Sequence, residues 1–332
     1  MTTSESKAPD RGQHHFLDIT PRCPRELLAR AQQMGKARTA VICADAALPM
    51  MSVEGAVRAG ICEPILIGNR ARIEAEAAKL SWDITPYEII EADSEQDAAL
   101  AGMQLVRDGR ADIVMKGQIH TDVMMKAVLN KQTGIRRDSR LVHVFHMTPP
   151  HSDHPIILSD GAVNVAPDLE TRKLALRAVV DVAHAVGIAK PKVALLSATE
   201  EPIPSVPSAQ EARELRDWAR ENISDAAFSG PLALDLILSK TAAQAKNLQN
   251  DEVAGAADAI VVPDLVSGNV LFKALVYFRS ACAAGVVLGG LVPIVLTSRA
   301  DPPEARLASL ALASLLAPPR AKPQKEQATA AV

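Results

Sequence analysis

Apolar strand patterns and amphipathic helix patterns alternate along most of this chain, and this alternation constrains the fold more than any other feature. Segments with helical spacing separate short apolar runs, and each run has the length of a strand. The predicted strands are 39–44, 64–68, 87–92, 111–117, 141–147, 155–160, 192–198, 259–264 and 292–298, and the predicted helices include 48–60, 69–80, 94–107, 168–187 and 207–222. Strands joined through helices predict an α/β chain whose parallel sheet is covered by helices on both faces.

Composition excludes several classes of function. The 332 residues are 48% hydrophobic and 23% charged with a net charge of −3, so no global basic field favours nucleic acid. The apolar run 281–296 contains three glycines and a proline, which is too interrupted for a membrane span, and the polar N-terminus does not resemble a signal peptide. The four cysteines form no CxxC pair, which predicts free, mostly buried thiols in the cytoplasm. We expect residues 1–20 and 319–332 to be disordered tails.

The polar residues that follow the predicted strands are the candidates for chemistry. In doubly wound sheets, ligands bind beyond the carboxyl ends of the strands. The chain has no GxGxxG, no P-loop, no GxSxG and no HExxH, which argues against the common nicotinamide, nucleotide, serine-hydrolase and zinc designs. The strand ends instead carry hydroxyls, amides and cations: Lys116 and Gly117, Ser197 and Thr199, the segment from Asp264 to Asn269 that includes Gly268, and Thr297, Ser298 and Arg299.

The segment 296–316 predicts an anion site at the start of a helix. Asp301 reads as the N-cap, Pro302 as the first helical residue, and Glu304 follows three residues after the cap. Ser298 and Arg299 stand just before the partly positive helix N-terminus, and together these groups suit a phosphate. The alternative is that Arg299 only pairs with a nearby carboxylate.

The segment 115–129 is a second candidate. Thr121 or Asp122 can cap a helix that buries an apolar stripe, with Lys126 on a different face. Gly117 would let a ligand approach the backbone at the end of the strand. The alternatives are that Lys126 is a solvated surface charge and that His120 is a hydrogen-bonding loop residue.

Four segments together resemble the phosphate acetyltransferase and phosphate butyryltransferase family. They are "DIVMKGQIHTDVMMKAVL", "ILSDGAVNVAPDL", "VVPDLVSGNVLFKAL" and "VPIVLTSRADPPEARLASLALA". The likeness runs from about residue 38 to residue 316. The spacing after "TSRAD" looks closer to the butyryl branch, or to the transferase half of proteins that fuse it to an enoyl-CoA hydratase-like domain.

This resemblance implies a fold and a reaction. The implied fold is the two-domain, three-layer αβα architecture of the isocitrate/isopropylmalate dehydrogenase type, with a cleft between the domains. The first domain would be 21–145 plus 297–318, and the second 146–296. The implied reaction is reversible transfer of a short acyl group, acetyl to butyryl, between CoA and inorganic phosphate, giving acyl phosphate. The resemblance implies no metal and no tightly bound cofactor, a homodimer or larger homo-oligomer, and an enoyl-CoA hydratase-like protein or an acylate kinase as pathway partner.

The resemblance also assigns roles to residues. Ser298 and Arg299 match the family's active-site pair, which binds phosphate and stabilises charge on the carbonyl oxygen. Gly268 and Asn269 match the element that faces the cleft. Lys116, Gly117, His120, Thr121, Ser197, Thr199 and Thr297 are the further candidates for binding phosphate or CoA.

Two departures from the family pattern bear on activity. Lys126 stands where most relatives carry Arg, which keeps the charge but loses bidentate geometry. Ala305 stands where the acetyl branch carries the Asp thought to deprotonate CoA. Asp301 is therefore the first candidate for the general base and His120 the second.

Three alternatives stay open from the sequence. The first is another enzyme on the same fold, such as an acyl-carrier-protein:phosphate acyltransferase or a metal-dependent hydroxy-acid dehydrogenase, although the latter would need clustered aspartates. The second is a catalytically impaired member that binds CoA or acyl phosphate as a regulator. The third is a structural subunit that docks on an enoyl-CoA hydratase partner.

Overall fold

The computed structural model describes residues 20–150, 154–298 and 300–318, and within these ranges the chain forms eleven strands and eleven helices. The predicted tails are 1–20 and 319–332, and residues 1–19 and 319–332 lie outside the described residues. The strands are β1 (Ala37–Ile42), β2 (Cys62–Gly68), β3 (Glu88–Glu91), β4 (Ile113–Lys116), β5 (Val142–Thr148), β6 (Ile156–Ser159), β7 (Lys192–Leu196), β8 (Ala227–Leu232), β9 (Ala259–Val261), β10 (Cys282–Leu288) and β11 (Ile294–Val295). The helices are α1 (Arg25–Met34), α2 (Ala47–Arg58), α3 (Arg70–Lys79), α4 (Glu95–Arg107), α5 (Thr121–Leu129), α6 (Leu169–Ala185), α7 (Pro207–Asn222), α8 (Leu234–Leu238), α9 (Lys240–Ala245), α10 (Leu265–Arg279) and α11 (Pro303–Leu316).

All of these strands join one sheet in the order β3-β2-β1-β4-β11-β10-β5-β6-β9-β7-β8. The expectation of a wholly parallel sheet is wrong, because β10 is antiparallel to both β11 and β5, and β5 is antiparallel to β6. The sheet therefore contains two parallel groups that run in opposite directions. The strands β3, β2, β1, β4 and β11 have their carboxyl ends at one edge, and β6, β9, β7 and β8 have theirs at the opposite edge.

Helices cover both faces of the sheet, which confirms the predicted three-layer α/β class. On one face, α1, α2, α3, α6, α7 and α11 pack apolar side chains into a single core. On the other face there are two separate cores, one beneath α4 and α5 and one beneath α8, α9 and α10. The space between α5 and α10 lies over the central strands, where the two parallel groups meet.

Two helices begin differently from the sequence prediction. The N-cap of α11 is Pro302 and no side chain caps it, so Asp301 is not the cap. Ser208, with Glu211 three residues later, also predicts a capping box for α7, but the N-cap of α7 is Val206, again without a side-chain cap. In both helices, Pro at the first helical position removes an N–H that would otherwise need a partner.

Two further helix starts lie beside the candidate site. The N-cap of α5 is His120 rather than Thr121 or Asp122. The N-cap of α10 is Asp264, whose carboxylate accepts a hydrogen bond from the Ser267 amide at 2.8 Å. The turn at 263–264 therefore closes the start of α10 with its own carboxylate.

Candidate active site

The carboxyl ends of β4 and β11 bring Lys116, Gly117, Thr297 and Ser298 to the same edge of the sheet. The two strands are parallel neighbours, with Ile294 opposite Val114. Lys116 is half-buried, and its ammonium lies 3.5 Å from the Gly117 carbonyl oxygen. Thr297 is half-buried and Ser298 is exposed. One cation and two hydroxyls thus gather where the sequence analysis placed the anion site.

Gly117 is required by the neighbouring strand. Its amide donates to the Ile42 carbonyl at 2.8 Å, and the Gln118 amide donates to the Cys43 carbonyl at 2.8 Å. A Cβ at position 117 would clash with both of these carbonyl oxygens. Close backbone packing against the end of β1 therefore explains this glycine.

A tight turn from Ser298 to Asp301 connects β11 to α11. A carboxylate oxygen of Asp301, Oδ2, accepts the Ser298 amide at 2.6 Å, and the Asp301 amide donates to the Ser298 carbonyl at 3.2 Å. The Ser298 hydroxyl oxygen accepts the Ala300 amide at 3.3 Å. Because a hydroxyl also carries a donor, Ser298 keeps an O–H that can point to a ligand. Arg299, the predicted partner of Ser298, lies outside the described residues.

Two cations act on the Asp301 carboxylate from different helices. Burial raises the pKa of Asp301, while the Ser298 amide, Arg306 of α11 and Lys273 of α10 oppose that rise. Arg306 is buried, whereas the Lys273 side chain is exposed. Lys273 is a residue that the sequence analysis missed. Its electrostatic interaction with Asp301 indicates that α10 passes close to the turn.

Asn269 lies four residues before Lys273, so the two side chains share a face of α10. The Asn269 amide donates to the Gly161 carbonyl at 3.0 Å, which ties α10 to the loop after β6. A Cβ at Gly268 would clash with the Asp160 carbonyl, so this glycine allows the close approach of helix and loop. One polar group of Asn269 is therefore bonded to the loop after β6, and the role of Gly268 and Asn269 in facing a cleft stays a prediction.

A stack of aromatic rings connects α10 to the sheet. Phe145 lies between His143 and Phe272, with ring centroids 4.1 Å and 4.3 Å apart. A Cβ at Gly285 would lie 2.9 Å from the His143 ring, so β10 needs a glycine there. Burial lowers the pKa of His143 to about 4, although Asp160 opposes the shift. Neither ring nitrogen has a hydrogen-bond partner in the described part of the chain.

The strand register places this stack and Lys116 on one face of the sheet. His143 pairs with Val287, Val287 with Ile294, and Ile294 with Val114. Lys116 lies two residues beyond Val114 and therefore points to the same face. This is the face that α5 and α10 cover on either side, so the floor of the candidate site lies between those two helices.

The N-terminus of α5 carries a histidine held by a carboxylate. A carboxylate oxygen of Glu95 on α4 lies 2.8 Å from the His120 ring nitrogen Nδ1. The same carboxylate accepts a hydrogen bond from the His120 backbone amide at 3.0 Å. Burial alone would raise the pKa of Glu95, but the His120 amide and ring hold it below its usual value. Thr121 is exposed at the start of α5, and the Lys126 ammonium, largely exposed, lies 3.6 Å from Asp122. Glu95 is the second residue that the sequence analysis missed.

Ser197 and Thr199 lie away from this cluster. They follow β7, whose carboxyl end is at the opposite edge of the sheet from the ends of β4 and β11. The Ser197 hydroxyl lies 2.9 Å from that of Ser208 on α7, and the Thr199 hydroxyl accepts the Glu201 amide at 3.2 Å. Both hydroxyls therefore stabilise the loop between β7 and α7.

Among the described residues, no cluster of three or more His, Cys, Asp or Glu side chains could hold a metal ion. The four cysteines are free, and three of them are buried, as predicted. None of the helices in the described ranges has the length and apolar character that a bilayer crossing requires.

Comparison with known proteins identifies what this site resembles. The family model described as "Phosphate acetyl/butaryl transferase" matches residues 92–314. A phosphate acetyltransferase of Rhizobium meliloti is 41% identical over 270 residues, covering 80% of this chain and 85% of the relative.

Two solved structures share the architecture. A branched-chain phosphotransacylase from Enterococcus faecalis V583 superposes with a TM-score of 0.73 at 28% identity, covering 85% of this chain and 99% of the other. A putative 4-hydroxythreonine-4-phosphate dehydrogenase from Salmonella typhimurium reaches a TM-score of 0.55 at 13% identity, covering 85% and 100% of the two chains. The second likeness concerns the fold alone and agrees with the predicted dehydrogenase-like architecture.

Proposed function

Because this chain belongs to the phosphate acetyltransferase and phosphate butyryltransferase family, we propose that it transfers a short acyl group reversibly between CoA and inorganic phosphate. The observation that supports the proposal is the Ser298–Asp301 turn, which follows β11 at the same edge of the sheet as the carboxyl end of β4 and Lys116. Acyl groups from acetyl to butyryl are the proposed range.

The proposed phosphate site is the turn itself. The hydroxyls of Thr297 and Ser298 and the guanidinium of Arg299 bind phosphate oxygens, since hydroxyl donors and a planar fork of N–H groups suit this anion. Lys116 and Lys273 add positive charge from β4 and α10. These groups also stabilise the charge that develops on the carbonyl oxygen when phosphate or thiolate attacks it.

The proposed CoA side of the site is formed by α5 and by the face of α10 that carries Asn269 and Lys273. Polar groups at the start of α5 and along it belong to His120, Thr121 and Lys126. Gly117 keeps the loop between β4 and α5 close to the sheet. Gly268 lets the start of α10 approach the loop after β6, and Asn269 shares a face of α10 with Lys273. Ser197 and Thr199 are left out of the proposed site because their hydroxyls bond to Ser208 and to the Glu201 amide within the loop between β7 and α7.

The acyl-transfer step needs positioning and charge stabilisation more than a strong base. A thiol near its ordinary pKa is already a few per cent thiolate at neutral pH. Holding thiolate and carbonyl in contact can supply much of the rate. Neither Ala305 nor Lys126 therefore rules out turnover.

We also propose a homo-oligomer, assembled through exposed apolar side chains of α10. Val266, Val270, Tyr277 and Phe278 of this helix are 69%, 62%, 44% and 57% exposed. Large apolar side chains exposed along one helix are typical of a protein interface. Light scattering should give at least a dimer, and Val270→Asp should reduce its size. A wild-type monomer would contradict the proposal.

The predicted division into 21–145 with 297–318 and 146–296 is proposed as two lobes, supported by the two separate cores beneath α4–α5 and α8–α10. The four free thiols support a cytoplasmic location. An acylate kinase that consumes the acyl phosphate, and an enoyl-CoA hydratase-like protein, are the proposed pathway partners.

A thiol-release assay tests the proposed function. Acetyl-, propionyl- and butyryl-CoA are each incubated with the protein, with and without phosphate, and free CoA is measured. Release that depends on phosphate is expected. Release that is indifferent to phosphate would indicate a thioesterase, and CoA binding without release would indicate a non-catalytic regulator. Arg299→Ala should abolish release without unfolding the chain.

A further inference from the structure

The His120 side chain is held in one orientation by Glu95. Nδ1 lies 2.8 Å from one carboxylate oxygen and 3.0 Å from the other, and the His120 backbone amide donates to the same group at 3.0 Å. Because an ionised carboxylate only accepts hydrogen bonds, Nδ1 must carry the proton. The neutral ring then presents the lone pair of Nε2 away from Glu95.

This ring stands beside the proposed site. His120 is 70% exposed, so Nε2 is within reach of a ligand, while Glu95 is only 29% exposed. From His120, α5 runs back over the sheet and packs Met124 and Val128 against the core that Leu296 also joins. Leu296 lies two residues before Ser298, so α5 lines the same end of the sheet as the phosphate turn.

The other base candidate uses one of its oxygens to hold a turn. The Asp301 carboxylate accepts the Ser298 amide at 2.6 Å and interacts with Arg306 and Lys273. Its contacts serve the shape of the turn. A general base needs a lone pair that can reach the proton it removes, with its orientation fixed by a third group. His120 with Glu95 has this arrangement.

We propose that His120 is the proton acceptor for the CoA thiol and that Glu95 is its positioning residue, an inference that rests on the proposed acyltransferase function. In the direction of acyl-CoA synthesis, the thiol proton moves to Nε2 and the thiolate attacks the carbonyl carbon of the acyl phosphate. The C–S bond forms, the C–O bond to phosphate breaks, and the departing phosphate takes the proton from Nε2. In the reverse direction, the same proton returns to the leaving thiolate.

The charges around this pair define its pH dependence. Asp122 of α5 interacts with Glu95, and Lys116 of β4, the Asp45 carboxylate and the Arg72 guanidinium of α3 surround the neighbouring Cys43 thiol together with Glu95. Arg72 and Asp45 pair with each other at 2.8 Å. The carboxylate of Glu95 remains the only one of these groups that contacts the His120 ring among the described residues.

The test measures the initial rate of acetyl-CoA formation from acetyl phosphate and CoA across pH. His120→Gln should lower kcat by about 10²-fold or more, remove the acid limb of the pH profile, and change the KM for CoA little. Glu95→Gln keeps an acceptor for the His120 amide but loses the charge. It should lower kcat less than His120→Gln does and change the KM for CoA little, because the ring keeps a hydrogen-bond partner but loses the charge that fixes its tautomer.

His184→Gln is the matched control. His184 lies on α6, which covers the other face of the sheet, and its ring nitrogen is 3.8 Å from the Asp225 carboxylate. Its kinetics should equal those of the wild type. A His120→Gln enzyme with unchanged kcat and acid limb would overturn the proposal, as would one in which only the KM for CoA rises. Wild-type protein that forms no acetyl-CoA would instead refute the proposed function.

Discussion

The Oδ2 oxygen of Asp301 lies 2.6 Å from the backbone nitrogen of Ser298, and this contact shapes the turn on which the proposed chemistry depends. The side chain that the sequence pattern assigns to a helix cap reaches back across three residues instead. Since α11 begins at Pro303 without a side-chain cap, the Asp301 carboxylate stabilises the turn after β11 rather than the start of the helix. The position of the Ser298 backbone follows from this contact.

Two substitutions at Asp301 distinguish the effect of its hydrogen bond to Ser298 from the effect of its negative charge. Asp301→Asn keeps an oxygen that accepts the Ser298 amide, so kcat should stay within about tenfold of wild type, while Asp301→Ala should lose about 10²-fold because the turn shifts. Initial rates across pH, with circular dichroism to check folding, make the comparison. Equal losses in both variants, with the acid limb gone, would mean that Asp301 itself moves the proton.

Lys273 should contribute affinity for phosphate. Lys273→Ala removes a cation from the face of α10 near the turn, so the KM for phosphate should rise roughly tenfold, which corresponds to about 1.4 kcal/mol. The effect should shrink at high salt because the ammonium is exposed. Lys246→Ala is the control, since Lys246 pairs with Glu200 at 2.8 Å. A KM for phosphate that is unchanged in Lys273→Ala would exclude Lys273 from the site.

His143 should make stability depend on acid. Its pKa is lowered from 6.5 to about 4 in the folded chain by burial, so the unfolded chain binds more protons between these values. Neutral His143 should therefore contribute its whole stabilisation above about pH 6.5. As the pH drops toward 4, the free energy of unfolding should fall by up to about 3 kcal/mol because of this group.

His143→Phe tests this assignment, because Phe can stack on Phe145 without a titrating group. Urea unfolding at several pH values should show a shallower loss in this variant. His146, whose pKa burial also lowers to about 4, should keep part of the slope. An identical slope in wild type and variant would show that His143 is not the group responsible.

The sequence predicts most of the strands and the phosphate turn because their signals are local. Apolar runs end in polar residues at Lys116 and at Ser298, and parallel strands bring such ends together. The sequence pattern does not predict the antiparallel strand β10. Its Ala and Gly residues give a weak strand signal, and Gly285 is explained only by the rings of His143 and Phe145 on the neighbouring strand.

The same limit applies to the site. Whether Ser197 joins Ser298 depends on the relative direction of β7 and β11, which no local pattern encodes. Glu95 looks like an ordinary acidic residue in the first turn of α4, and only the packing of α4 beside α5 brings it to His120. The interaction of Lys273 with Asp301 likewise depends on the direction in which α10 crosses the sheet.

Direct detection of the acyl phosphate tests the central claim. Protein is incubated with acetyl-CoA and inorganic phosphate, and phosphorus NMR follows the products while free thiol is titrated. The account predicts a new acetyl phosphate signal that grows in equal amounts with free CoA in the wild type and is absent in Arg299→Ala. Free CoA with acetate, and no acetyl phosphate at early times, would contradict it.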